Sequence, residues 1–247
     1  CASWPGAITL KGVGFLRPES AVWDPVSGFW YLSNQGSQAG NTDGFISKLS
    51  KDGALVQLLW VTGLGNPTGM RILEGKLYVS DPNLLATLPN YAIVAIDVAS
   101  GVVQKTYTLD INLMNAPNRG LNDLEIDKTT NALYASVFDT RAGFGETIIK
   151  VPLDGTGSNA TQFVTAGSVG IRPNGLLIRN RDLIVMNGAG GFSRVGLDAH
   201  AIELLGSTAY VDPSSGTPIL DGIEWDGNAY LFTSHGLATA EPNYIDY

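Results

Sequence analysis

Short apolar runs recur along the chain at regular intervals, separated by turn residues, and no long helical period competes with them. Phe29-Trp30-Tyr31-Leu32, Lys76-Leu77-Tyr78-Val79, Ala132-Leu133-Tyr134-Ala135, Leu183-Ile184-Val185-Met186 and Ala229-Tyr230-Leu231-Phe232 are rich in aromatic and branched residues. Runs of this length and composition predict strands. Each is preceded by a turn and an earlier strand. In the first three units a third strand follows and ends in a hairpin carrying Asp or Gly: Ile46–Leu49 before Asp52-Gly53, Ile93–Asp97 before Gly101, and Ile148–Val151 before Asp154-Gly155.

The strands that open the units match one another. Pro18-Glu19-Ser20-Ala21-Val22, Pro67-Thr68-Gly69-Met70-Arg71, Leu121-Asn122-Asp123-Leu124-Glu125, Pro173-Asn174-Gly175-Leu176-Leu177 and Leu220-Asp221-Gly222-Ile223-Glu224 align with their second positions 49, 54, 52 and 47 residues apart. Repeats of about fifty residues, each a four-stranded antiparallel meander, predict an all-β chain folded as a β-propeller. Five repeats fill residues 1–247 as a single domain. The fifth unit offers Asp221–Trp225, Ala229–Phe232 and Tyr244–Tyr247 but no fourth strand. Ile8–Phe15, within an N-terminal segment over residues 1–17, is expected to supply that strand, since closing the ring removes exposed edges. The alternative is a six-bladed ring with one blade missing or degenerate.

In a propeller the first strand of every blade lines the central channel, so equivalent positions in different blades form a ring around the axis. Four of the five second positions carry oxygen ligands: the carboxylates Glu19 and Asp221 and the amides Asn122 and Asn174. Two carboxylates balance the charge of one calcium ion, two amide oxygens add neutral donors, and water or substrate completes a shell of about six to eight oxygens. Asn174-Gly175 and Asp221-Gly222 are also ordinary turn pairs, but four oxygen ligands at one phase of a repeat point to a metal ring. Thr68 is the odd member, and with His235, which follows the second strand of the Asp221 unit, it is a candidate substrate contact at the channel. Trp23, Trp30, Trp60, Trp225, Tyr78 and Tyr134 are expected to pack between blades.

Charge supports this direction. The formal net charge is -8, with 15% charged residues and 44% hydrophobic ones. An acidic chain lacks the basic patch that nucleic acid requires, and no apolar run is long enough to span a membrane as a helix. The expected partner is a small molecule, and the expected state is a monomer. The single cysteine, Cys1, excludes an internal disulfide or a Cys-based metal site. Followed by Ala2 and Ser3, it looks like a bacterial lipoprotein whose leader has been removed, which suggests an extracytoplasmic home with a lipid anchor at Cys1.

Glu19-Ser20-Ala21-Val22-Trp23-Asp24, Asn122-Asp123, Pro173-Asn174-Gly175-Leu176 and Leu220-Asp221-Gly222-Ile223 resemble, in order and spacing, four signatures of the SMP-30/gluconolactonase superfamily. That superfamily comprises six-bladed, calcium-holding propellers and includes lactonases and diisopropylfluorophosphatase. The resemblance implies calcium on Glu19, Asn122, Asn174 and Asp221, a substrate-contacting arginine near Arg119, and hydrolysis of small lactones, esters or phosphotriesters. A sixth inner-strand signature is absent. Under this reading a carboxylate accepts the proton of the attacking water. Asp221 is placed first by analogy, and Asp123 second because ideal strand alternation turns it away from Asn122. Neither His200 nor His235 sits in a nucleophile elbow, so a Ser-His-Asp arrangement is disfavoured. The competing class is a non-catalytic propeller that binds a ligand or partner and uses calcium as an axial clamp.

Overall fold

The computed structural model describes residues 10–37, 42–82, 91–110, 119–139, 146–165, 167–169, 172–187, 191–207 and 220–234. Apart from a single-turn 3-10 helix at Gly157–Asn159, the regular elements among them are strands. The first sheet holds β1 (Pro18–Asp24), β2 (Phe29–Asn34), β3 (Gly44–Ser50) and β4 (Leu55–Leu64). The second holds β5 (Met70–Leu73), β6 (Lys76–Asp81), β7 (Tyr91–Asp97) and β8 (Val103–Leu109). The third holds β9 (Arg119–Asp127), β10 (Ala132–Asp139), β11 (Thr147–Pro152) and the short β12 (Thr161–Gln162). The fourth holds β13 (Pro173–Arg179), β14 (Asp182–Asn187), β15 (Gly191–Gly196) and β16 (Ile202–Ser207). The fifth, among the described residues, is the pair β17 (Leu220–Trp225) and β18 (Tyr230–Ser234). Each sheet is an open antiparallel meander in sequence order.

The hairpins that join first to second strands use two solutions. In the second and fourth sheets, two-residue loops, Glu74-Gly75 and Asn180-Arg181, take positive φ at both positions, as the twist of a tight hairpin requires. In the other three, a four-residue loop is held by an aspartate that closes the first strand or follows it. Asp24 accepts from the N–H groups of Val26 and Ser27, Asp127 from Thr129 N–H and Thr130 Oγ1, and Asp226 from the N–H groups of Asn228 and Ala229.

Alternation along the strands sends successive side chains to opposite sheet faces, and here both faces are buried. From β7, Ile93 and Ala95 enter a cluster with Leu121, Leu124, Leu133 and Ile149 of the third sheet. Their neighbours Val94 and Ile96 enter a cluster with Tyr31, Ile46 and Val61 of the first. From β14, Leu183 and Val185 pack with Tyr134 and Ile148 of the third sheet, whereas Ile184 and Met186 pack with Ile223 of β17. Four apolar clusters therefore fill the four spaces between consecutive sheets. None of them joins the fifth sheet to the first among the described residues. Tyr78 and Tyr134 are buried in these seams as expected.

The expected closing strand at Ile8–Phe15 does not form over its described part, Leu10–Phe15. Gly12 and Gly14 have φ of 66° and 94°, which interrupts an extended run. The segment is drawn instead to the first sheet: Gly14 lies against Leu58 of β4, Leu16 N–H donates to Asn34 Oδ1, and the Leu16 and Arg17 carbonyls accept from Gly36 and Gln35. The expected strand at Tyr244–Tyr247, and Cys1, lie outside the described residues.

Candidate functional site

The four predicted ligands share one local feature. Along the first strands, pairing with the second slips by one residue between Pro18 and Ala21, Leu121 and Leu124, Pro173 and Leu176, and Leu220 and Ile223. Each slip is a β-bulge in which two residues oppose one, bending the strand and re-aiming its side chains. Glu19, Asn122, Asn174 and Asp221 are the first residues of these four bulges. The second sheet repeats the arrangement at Thr68-Gly69: Thr68 N–H donates to Ser80 O, and Ser80 N–H donates to Gly69 O.

A bulge costs a ladder hydrogen bond, and in three sheets a hydroxyl on the second strand supplies a replacement. Ser20 N–H donates to Ser33 Oγ at 2.9 Å, Asp123 N–H to Ser136 Oγ at 2.9 Å, and Gly222 N–H to Thr233 Oγ1 at 2.8 Å. The glycines at the second bulge positions answer to crowding between strands. A Cβ on Gly175 would lie 2.5 Å from the Asp221 carbonyl oxygen, and one on Gly69 would lie 2.6 Å from Asp123 Cα. Neither glycine has positive φ, so the Asn-Gly pair at 174–175 reflects close approach of β17 rather than a turn.

All four first-position side chains line a single cavity of about 450 Å³, which also reaches into the space between β1–β2 and β17–β18. Asn174 Nδ2 donates to Asp221 Oδ1 at 2.8 Å. Glu19 Oε2 is buried and has no hydrogen-bond partner. Burial, reinforced by the nearby carboxylates of Asp221 and Asp123, holds the Glu19 pKa well above its ordinary value. Among the described residues, no three or more His, Cys, Asp and Glu side chains are gathered into a metal site of their own. A cation here would depend on the two amides as much as on the two carboxylates.

Asp123 also lines the cavity, although strict alternation would turn it away from Asn122. The bulge removes that alternation. Its oxygens are already committed: Oδ1 accepts from Leu124 N–H and Oδ2 from Leu176 N–H, with Arg71 3.4 Å from each. Burial raises its pKa, against the opposing pull of Arg71 and the two N–H groups. Asp123 thus ties β9 to β13.

Arg71 is the cavity residue that motif reading misses. Its guanidinium meets Asp123, Glu125 and Glu224 at 3.3–3.4 Å and donates to the carbonyls of Met70 and Leu176. Burial acts to lower its pKa, but Asp123, Glu125 and Glu224 outweigh that effect and raise it. The signal was in the same alignment. Three residues beyond each first bulge position stand Val22, Arg71, Glu125, Leu177 and Glu224, so one cation and two acids from three units meet beside the ligand positions. Trp30, expected between blades, instead lines the cavity and packs on Trp23 with ring centroids 5.3 Å apart. Trp60 and Trp225 do pack against seam clusters.

The remaining predicted residues are placed as follows. Thr68 is buried, away from the cavity lining, and its Oγ1 donates to the Asn122 carbonyl at 2.8 Å. Arg119 begins β9, three residues ahead of Asn122. His235 lies outside the described residues.

No protein-family model and no curated protein matches the chain. Solved structures do. A luciferin-regenerating enzyme is similar at TM-score 0.58 and 14% identity, over 89% of this chain and 69% of that one. A hypothetical selenium-binding protein from Sulfolobus tokodaii is similar at 0.61 and 14%, over 90% and 58%. The WD40 β-propeller domain of Doa1 is similar at 0.57 and 11%, over 86% and 60%. The chain thus spans about three fifths of the latter two structures. At these identities the likeness concerns fold alone, and together with the mostly four-stranded antiparallel sheets it makes this chain a β-propeller.

Proposed function

We propose that the chain is a calcium-dependent hydrolase of small lactones, esters or phosphotriesters. The observation that carries this reading is the buried, unpartnered Glu19 Oε2 in one cavity with Asn122, Asn174 and Asp221. A buried carboxylate oxygen without a donor is costly, and a hard cation among two carboxylates and two amide oxygens would satisfy it. A bound calcium ion supplies Lewis acidity toward a carbonyl or phosphoryl oxygen. Asp221, steadied at Oδ1 by Asn174, accepts the proton of the attacking water at Oδ2. Asp123 and Arg71 hold β9, β5 and β13 in position around it. The apolar wall formed by Ala21, Trp30 and Leu231 shelters the reacting group from bulk water. This reading keeps the SMP-30/gluconolactonase resemblance, five blades in one domain over residues 1–247, and a monomeric, extracytoplasmic protein.

The test is turnover of a lactone and ester panel with and without calcium. Wild type should hydrolyse at least one member only with calcium, and Asn122→Ala should lose that activity while keeping its circular dichroism spectrum. Calcium-induced stabilisation with no turnover on any substrate would instead leave a ligand-binding propeller with a structural ion.

A further inference from the structure

The cavity lining is unbalanced in charge. Among the described residues, Glu19, Asp123, Asp221 and Glu224 face it, against one basic residue, Arg71. Arg71 is already engaged by Asp123, Glu125 and Glu224, so among the described residues the lining has no basic group left to receive an anion. Toward the seam between the fifth and first sheets the wall turns apolar, with Ala21, Trp30, Ile223 and Leu231. An aromatic ring beside carboxylates suits a cation with an apolar body, because the ring face attracts positive charge and the aliphatic neighbours accept hydrocarbon.

We propose that this cavity receives a small organic cation, an alkyl- or arylammonium compound, with its apolar part against Trp30 and Leu231, and that it discriminates against carboxylates and phosphates of similar size. The proposal rests on the hydrolase reading only in sharing its cavity, and it then narrows the substrate class to esters or lactones bearing an ammonium group. A divalent ion held by Glu19 and Asp221 would still leave Asp123 and Glu224 outnumbering Arg71. Without that ion the excess of negative charge is larger.

Calorimetric titration of the full chain with benzyltrimethylammonium and with phenylacetate, each in excess calcium and again in chelator, tests this. In chelator the ammonium compound should bind at least about tenfold more tightly than phenylacetate, and in calcium, where a bound ion would coordinate a carboxylate, that ratio should narrow. Trp30→Leu should weaken it about fivefold, and Glu224→Gln, at an exposed side chain, about threefold. Equal or tighter binding of phenylacetate in chelator, no binding of either compound, or an affinity unchanged by both variants would overturn the proposal. Failure of the calcium reading would look different: the ammonium preference would persist in a protein that takes up no calcium.

Discussion

Four of the spaces between neighbouring sheets are filled by side chains, while the space from the fifth sheet to the first holds part of a cavity. The difference is written in the second strands. Leu133 and Ala135 of β10, and Leu183 and Val185 of β14, are buried in the filled seams. At the open seam, Trp30 of β2 and Leu231 of β18 line the cavity and are only partly buried. Among the described residues, apolar clusters fill the first four spaces, and the candidate site borders the one where no such cluster is described.

Truncation on the two sides should expose that contrast most strongly. Leu133→Ala removes a fully buried side chain from a closed seam and should cost about 3–4 kcal/mol. Leu231→Ala widens an existing cavity and should cost under about 1 kcal/mol. Urea denaturation of the two variants measures the gap, and equal losses would mean that the open seam is packed like the others.

Gly175→Ala probes the seam between β13 and β17 at the backbone. With the Asp221 carbonyl at 2.5 Å and Ile223 N at 2.9 Å from the added carbon, neither strand has a flexible side chain to yield. A loss of about 2–3 kcal/mol is expected, together with weakened calcium uptake because Asp221 must move.

The hairpin ends give a smaller, pH-dependent effect. Burial would raise the Asp127 pKa, but Thr130, Arg181 and Thr129 overcome it and lower it from 3.8 to about 2. The stability this aspartate contributes is therefore present above pH 3.8 and is lost as pH falls toward 2. Asp127→Asn should cost about 1–2 kcal/mol at pH 7, and the variant should approach wild type in melting temperature as pH falls through that window. A difference that stayed constant with pH would show that the charge plays no part.

Much of this was legible in the repeat. Aligning the five openings fixed the phase of Glu19, Asn122, Asn174 and Asp221, and the cavity gathers those four side chains. The bulges were not legible, because a one-residue slip in pairing leaves no mark on a single strand. Strict alternation therefore misplaced Asp123. The hydroxyls of Ser33, Ser136 and Thr233 that steady three of the bulges read as ordinary strand residues until their N–H donors are known. Arg71 was hidden because its partners, Glu125 and Glu224, lie in other units. The N-terminal strand failed for a local reason: Gly12 and Gly14 turn the chain where pattern alone suggested extension.

Calorimetry of calcium binding tests the central claim most directly. Wild type should take up one ion per chain, and Glu19→Gln should lose that uptake. In chelator the variant should melt at or slightly above the wild-type temperature, because the carboxyl whose ionisation burial opposes has been removed. A folded wild-type protein that takes up no calcium, or uptake that survives Glu19→Gln unchanged, would contradict the account.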